Sequence, residues 1–140
     1  MKRLLQTLAT LVIAASTWPA TAQPARNNLL LVVNRAPKVL SVFKADGANL
    51  TLLKKIGIGE GAREICVSAD GRRAYVSVAK DNVVAVVDLE KLEVVATIKD
   101  PLLDGPDGGR LSSDSKTVYI TSAFKNAVAV IDAETYKVVK

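Results

Sequence analysis

The feature that most narrows the fold of this chain is an internal repeat at a spacing of forty-four residues. Ser68-Ala69-Asp70-Gly71-Arg72-Arg73-Ala74-Tyr75-Val76 returns as Ser112-Ser113-Asp114-Ser115-Lys116-Thr117-Val118-Tyr119-Ile120, and Ala85-Val86-Val87-Asp88 returns as Ala129-Val130-Ile131-Asp132. A fixed period of this length marks a solenoid or a propeller, because each unit has apolar faces that only a neighbouring unit can cover. Within a unit the apolar residues alternate or run in short β-branched bursts, and no stretch shows a helical period.

The clearest unit reads as four strands, at 63–68, 73–78, 83–88 and 93–98. The turn Ala69-Asp70-Gly71-Arg72 follows the first strand: Asp70 bonds the turn backbone and Gly71 accepts positive φ. The next unit repeats the plan at 109–112, 116–121, 126–132 and 135–140. A weaker unit precedes both, with strands at 29–34, 39–44 and 50–56 and no first strand. Four short antiparallel strands in roughly 40 residues is the arithmetic of a propeller blade. The expected fold is all-β, a β-propeller of four-stranded antiparallel blades within 28–57, 62–98 and 107–140. These amount to about two and three-quarter blades of an incomplete ring, expected to be seven-bladed. Leaving on the order of 500 Å² of blade face wet forfeits about 12 kcal/mol at ~25 cal/mol per Å², comparable with the whole stability of a domain. The remaining blades are therefore expected from sequence beyond Lys140, or from oligomerisation.

The first 22 residues read differently. Met1-Lys2-Arg3 is a basic start, residues 4–15 are mostly apolar, and Ala20-Thr21-Ala22 precedes Gln23. This is the pattern of a secretory signal peptide, and the apolar run is short for a membrane span. The expected mature chain, 23–140, is exported to the periplasm or secreted, with no membrane span. Loss of Lys2 and Arg3 lowers the formal net charge from +5 to +3, ordinary for a soluble domain.

Histidine is absent and Cys66 is the only cysteine. Within this chain that excludes a Ser-His-Asp triad, a His-ligated zinc or haem and an intramolecular disulfide. No cofactor or metal is expected. Cys66, between Ile65 and Val67, reads as a packed, inert thiol. With Phe43, Phe124 and three tyrosines as the only aromatics after 1–22, stacking on single-stranded nucleic acid has no support.

Asp70-Gly71-Arg72-Arg73-Ala74-Tyr75-Val76-Ser77 followed by Asp81-Asn82-Val83-Val84-Ala85-Val86-Val87-Asp88 resembles the YVTN-type β-propeller repeat. That pattern is a Ser-Pro-Asp-Gly turn, a Tyr-Val-Thr-Asn strand and a Val-x-Val-Ile-Asp strand. Val94-Val95-Ala96-Thr97-Ile98 matches its closing strand, and Tyr119-Ile120-Thr121-Ser122 with Asn126-Ala127-Val128-Ala129-Val130-Ile131-Asp132 repeats it. The resemblance covers 28–140. Departures are Val78 and Ser122 in place of Asn, Ala69 and Ser113 in place of Pro, and Ser115 in place of Gly. The first unit, Leu31-Val32-Val33-Asn34, keeps only a Val and the Asn. The resemblance implies the N-terminal part of an exported surface-layer or periplasmic propeller. The same fold houses subunits of quinoprotein and haem-d1 dehydrogenases and lactonase-like enzymes, and fold does not imply function.

Asp70, Asp88, Asp114 and Asp132 recur at turns or strand ends, which points to turn-fixing rather than to acid–base work. Tyr75 and Tyr119 recur likewise and are expected to pack between blades. The link 100–109 is longer than the link 57–62. Asp104 and Asp107 in it offer calcium-type oxygen ligands, but without a regular acidic spacing they read as a Pro/Gly-rich turn. Arg63 and Arg110 enter innermost strands near a channel mouth, where the loops carrying Arg35, Lys38, Lys80 and Lys125 also emerge. Such a basic rim favours an anionic ligand or an acidic protein partner, with Asp81 and Glu64 offsetting part of the field. The expected function is that of a non-catalytic binding or protein-interaction scaffold. The alternative is a fragment or subunit of a periplasmic oxidoreductase or lactonase-like enzyme whose catalytic residues lie in other blades.

Overall fold

A computed structural model describes residues 28–140; the expected leader at 1–22 lies outside the described residues. Ten strands follow in order: β1 (Leu29–Asn34), β2 (Val39–Asp46), β3 (Asn49–Gly57), β4 (Ala62–Val67), β5 (Arg73–Val78), β6 (Val83–Asp88), β7 (Glu93–Lys99), β8 (Pro106–Leu111), β9 (Thr117–Ser122) and β10 (Ala127–Asp132). They form three antiparallel sheets, ordered β1-β2-β3, β4-β5-β6-β7 and β8-β9-β10. The sheets succeed one another as blades of a β-propeller, and the chain builds part of such a ring.

Side chains alternate across a strand, and the second sheet uses both faces. From β5 and β6, Ala74, Val76, Val78, Val83, Ala85 and Val87 pack on the first sheet, against Leu40, Val42 and Ile56. The residues between them, Tyr75, Val84 and Val86, pack on the third sheet, against Val118, Ile120, Ala129 and Ile131. Every residue of β6 is buried. In the third sheet the described residues cover one face, so β9 alternates between buried and exposed residues from Val118 to Ser122.

The forty-four-residue spacing extends to the backbone. Pairing of the middle with the outer strand shifts register at Val42/Phe43 and again at Val86/Val87. Pairing of the inner strand shifts at Ala62/Ile65 and again at Pro106/Gly109. Positive φ recurs at Lys38, Asn82 and Asn126, at Gly71 and Ser115, and at Leu92 and Tyr136. The turn carboxylates are bonded alike: Asp70 accepts from Ser68 Oγ and Arg72 N, and Asp114 from Ser112 Oγ and Lys116 N. Asp88 accepts from the amides of Glu90 and Lys91, and Asp132 from those of Glu134 and Thr135. These bonds hold all four carboxyls below their ordinary value.

Polar groups also tie blade to blade. Tyr75 Oη donates to the Ala133 carbonyl at 3.3 Å, and its ring meets Tyr136 edge-on at 6.5 Å. Ser77 Oγ donates to the Asp107 carbonyl. Ser115 explains one departure from the repeat: standing at φ 57 where the preceding turn has Gly71, its Oγ accepts from Ala69 N at 2.8 Å. Glycine offers no such hook.

Two expectations are corrected. The segment expected as a strand at 135–140 pairs with β10 only from Lys137 on: Asp132 N donates to the Lys137 carbonyl at 2.9 Å, Val139 N to the Val130 carbonyl at 2.7 Å and Val130 N to the Lys140 carbonyl at 2.6 Å, around the bridge between Ile131 and Val138. Tyr136 at positive φ turns the chain into this pairing, and Val138 packs on the second core. The long link expected at 100–109 is shorter, because β8 begins at Pro106 and takes Asp107 and Gly108 into its bulge.

Ile120 has no exposed surface in the second core. Ile120→Ala is expected to cost about 2–5 kcal/mol, measured as a lower midpoint of chemical unfolding.

Candidate functional site

The site begins with a short loop. Between β3 and β4 the chain runs Ile58-Gly59-Glu60-Gly61, and both glycines are required. Gly59 has φ +104, and a Cβ there would lie 2.4 Å from Asp81 Oδ2; Gly61 has φ +78, and a Cβ would lie 2.8 Å from Lys80 Cγ and 3.0 Å from Lys80 N. Bare backbone lets the loop lie flat on the β5–β6 turn. There Glu60 N donates to Asp81 Oδ2 at 2.7 Å, Ala79 N to the Gly61 carbonyl and Lys80 N to the Glu60 carbonyl.

Pinned this way, the Glu60 side chain bridges two blades. Lys38 Nζ, from the β1–β2 turn, donates to Glu60 Oε2 at 2.8 Å, and Lys80 Nζ, from the β5–β6 turn, donates to Oε1 at 2.8 Å. The two hydrogen bonds, Lys38's first, pull the Glu60 carboxyl down to about 2, and the same contact raises the Lys38 ammonium. Lys38 adopts φ 58 where the later repeats have Asn82 and Asn126. Asn82 uses that position to accept from Gly105 N of the next blade at 2.9 Å; Lys38 carries a charge across the corresponding junction instead.

Around this bridge lies a half-open cavity of about 390 Å³, lined by Arg35, Ala36, Lys38, Glu60, Gly61, Arg63, Ala79 and Lys80. Four of the six expected rim cations thus share one lining, with a single carboxylate among them. Lys38 and Lys80 are engaged by Glu60; Arg35 and Arg63 have no ion pair among the described residues.

The other two rim residues stand apart. Arg110 Nη1 is 3.6 Å from Glu64 Oε1, and Lys125 Nζ is 3.5 Å from Asp104 Oδ2. Glu64 also accepts from Gly109 N at 2.8 Å, joining β4 to β8. Among the described residues no group of three or more His, Cys, Asp or Glu side chains is placed to hold a metal ion. Tyr75 is buried between blades, and burial with the nearby Tyr136 pushes its hydroxyl up to about 12. Tyr119 faces outward and is 42% exposed. It does not pack between two blades of the described residues, because none stands on its side of the third sheet.

Sequence reasoning missed Glu60. Its signal was present: one carboxylate between two glycines, in a loop at a mouth otherwise supplied with cations.

The fold and the site frame the comparison with known proteins. A family profile described as YNCE-like beta-propeller matches residues 9–140. The chain belongs to the YNCE-like β-propeller family. No curated protein matches it. Among solved structures, the propeller is similar to hydrazine synthase of Kuenenia stuttgartiensis, at 26% identity and a TM-score of 0.73 over 82% of this chain and 32% of that one. It is similar also to the periplasmic gluconolactonase PpgL of Pseudomonas aeruginosa, at 20% identity and TM-score 0.69 over 83% and 36%. The dihydro-heme d1 dehydrogenase NirN aligns at 19% identity and TM-score 0.66 over 80% and 24%. This propeller therefore spans between a quarter and just over a third of those chains. Among the described residues no helix is long and apolar enough to cross a membrane.

Two measurements test these environments. A carboxyl lowered from 4.5 to about 2 favours the folded chain above its unfolded value, and that contribution is lost as pH falls through about 2. The Glu60 side-chain carbon should therefore titrate near 2 by NMR, and Lys38→Met should move the midpoint towards 4.5. Cys66 is 8% exposed, and burial pushes its thiol up to about 11, against a lowering by Arg110. Near neutral pH an aromatic disulfide reagent should modify it at least about a hundredfold more slowly in the folded than in the unfolded chain; equal rates would contradict this environment.

Proposed function

We propose that this chain is part of an exported, YVTN-type propeller that works as a non-catalytic binding scaffold and takes a carboxylate of its ligand in the cavity between the first and second blades. The observation carrying this reading is the convergence of Arg35, Lys38, Arg63 and Lys80 on one lining of about 390 Å³. Glu60 supports carboxylate as the group recognised, since its own carboxylate is already held there by two ammonium groups at 2.8 Å each. Arg35 and Arg63 supply what remains, and a guanidinium presents the planar fork that matches a carboxylate. The basic leader pattern and the likeness to a periplasmic gluconolactonase support an extracytoplasmic location. Rigid blades with functional loops at one end are the usual division of labour in such folds.

Fluorescent poly-L-glutamate and citrate serve as macromolecular and small-molecule probes. Binding of one or both is expected to weaken at least about tenfold in the Arg35→Glu/Arg63→Glu variant and to fall with rising salt. Arg110→Glu, which alters a residue paired with Glu64 outside the cavity, should change it little. Equal affinity and equal salt dependence for the double variant and the unaltered chain would overturn the proposal.

A further inference from the structure

The junction of the first and second sheets holds another cavity, at the end opposite the basic lining. It measures about 250 Å³, and its lining includes Leu29, Lys44, Leu53, Leu89, Glu90 and Leu92. Lys44 follows Leu40 and Val42 on the face of β2 turned to the second sheet, and Leu29 and Leu92 pack at the edge of the first core. Leu89 is buried while Leu53 is 45% exposed, so the cavity is half-open.

Forty-four residues on, the junction of the second and third sheets carries different side chains at these positions. The cross-strand pair Leu29 and Lys44 becomes Arg73 and Asp88, joined by an ion pair at 2.9 Å. Leu92, at φ 56, becomes Tyr136 at φ 57. The Tyr136 ring meets Tyr75 edge-on and packs on the second core, whereas at the first junction Leu31 stands in the place of Tyr75. The second junction thus carries an aromatic pair and an internal ion pair. The first carries leucines instead, with an ammonium where the carboxylate stood.

We propose that this hollow binds a small carboxylic acid with an aromatic body, its ring among the four leucines and its carboxylate on Lys44. Volume, apolarity and charge each support that occupant. An apolar cavity of about 150 Å³ takes up benzene, so about 250 Å³ leaves room for a ring and a short acid tail. Leu29, Leu53, Leu89 and Leu92 let such a ring leave water. Of the two charged groups named on the lining, Glu90 is engaged by Arg72 Nε at 3.2 Å. Lys44 has no ion pair among the described residues. The uncompensated charge is therefore positive and selects an anion. None of these residues lines the basic cavity at the other end, so the inference is independent of the scaffold reading.

NMR of the leucine methyl groups in the full chain, titrated with 3-phenylpropanoate and with its neutral amide, provides the test. The acid is expected to shift the methyls of the four leucines with a dissociation constant of about 1 mM or below. The amide should bind at least about threefold more weakly, and Lys44→Met should bring the acid to the affinity of the amide. Leu92→Tyr installs the residue of the next repeat in a backbone conformation that Tyr136 already holds. It should weaken both ligands at least about tenfold, as loss of a packed site does. Leu53→Glu, at an exposed position, provides a second variant that should weaken the acid similarly, and cooperative melting identifies folded variants. Arg35→Glu/Arg63→Glu should leave the shifts unchanged, so failure here is read apart from failure at the basic cavity. Three results would overturn the proposal: lining methyls that stay unshifted well above millimolar acid; acid binding undiminished in folded Leu92→Tyr and Leu53→Glu; or equal affinity for acid and amide.

Discussion

The second sheet depends on having neighbours on both faces, and the rest of the arc is arranged around that requirement. A strand such as β6, with six consecutive buried residues, has no face to offer water. Its Val, Ala and Asp sequence is stable as a strand only inside a stack of sheets. The first and third sheets are held by the same burial, each presenting one apolar face to the middle blade. Because interiors pack at crystal-like density, this also fixes the relative position of the blades, and with it the loops at their ends. The Lys38–Glu60–Lys80 bridge reaches from one blade to the next, so it forms only when blade spacing is already correct.

The polar ties across blade junctions refine this spacing. Ser77 reaches the Asp107 carbonyl, Asn82 accepts from Gly105 N, Ser115 accepts from Ala69 N, and Glu64 accepts from Gly109 N. The bonds of Ser77, Asn82 and Glu64 are part-buried and pair groups beside an apolar core, where an unmet hydrogen bond costs roughly 1–3 kcal/mol; that of Ser115 lies exposed. They also discriminate register: a blade displaced by one residue would turn its apolar side chains to the wrong face and lose these partners together.

How much of this was legible in the sequence follows from the range of the interactions. The strands at 29–34, 73–78 and 83–88, and the Asp70-Gly71 turn, carry local signals. Alternation, short β-branched runs and turn chemistry therefore located them. The start of β8 was not legible, because Pro106-Asp107-Gly108 has the composition of a turn, while pairing with β9 through a bulge makes it strand. Glu60 was missed because its two partners lie 22 and 20 residues away in sequence on different blades; the flanking glycines mark a tight loop, not what the carboxylate meets. Arg110 was grouped with the rim because it enters an inner strand, as Arg63 does. Its guanidinium turns to Glu64 instead, and that proximity comes from packing β4 against β8.

Residues that break the repeat have a common character in this chain. Lys38 stands where Asn82 and Asn126 stand later, Ser115 where Gly71 stands earlier, and Arg110 where Cys66 stands. All three put a polar or charged group at a blade junction or at an open face, and two of them hold a left-handed backbone outside glycine. A side chain in that conformation costs on the order of 1 kcal/mol. Ser115 offsets its share through the bond from Ala69. Lys38 is exposed, and an exposed ion pair is screened by solvent and contributes little, so stability alone gives little reason to prefer lysine to asparagine there. What lysine adds is positive charge beside Arg35 and Arg63, on the lining where the carboxylate site is proposed.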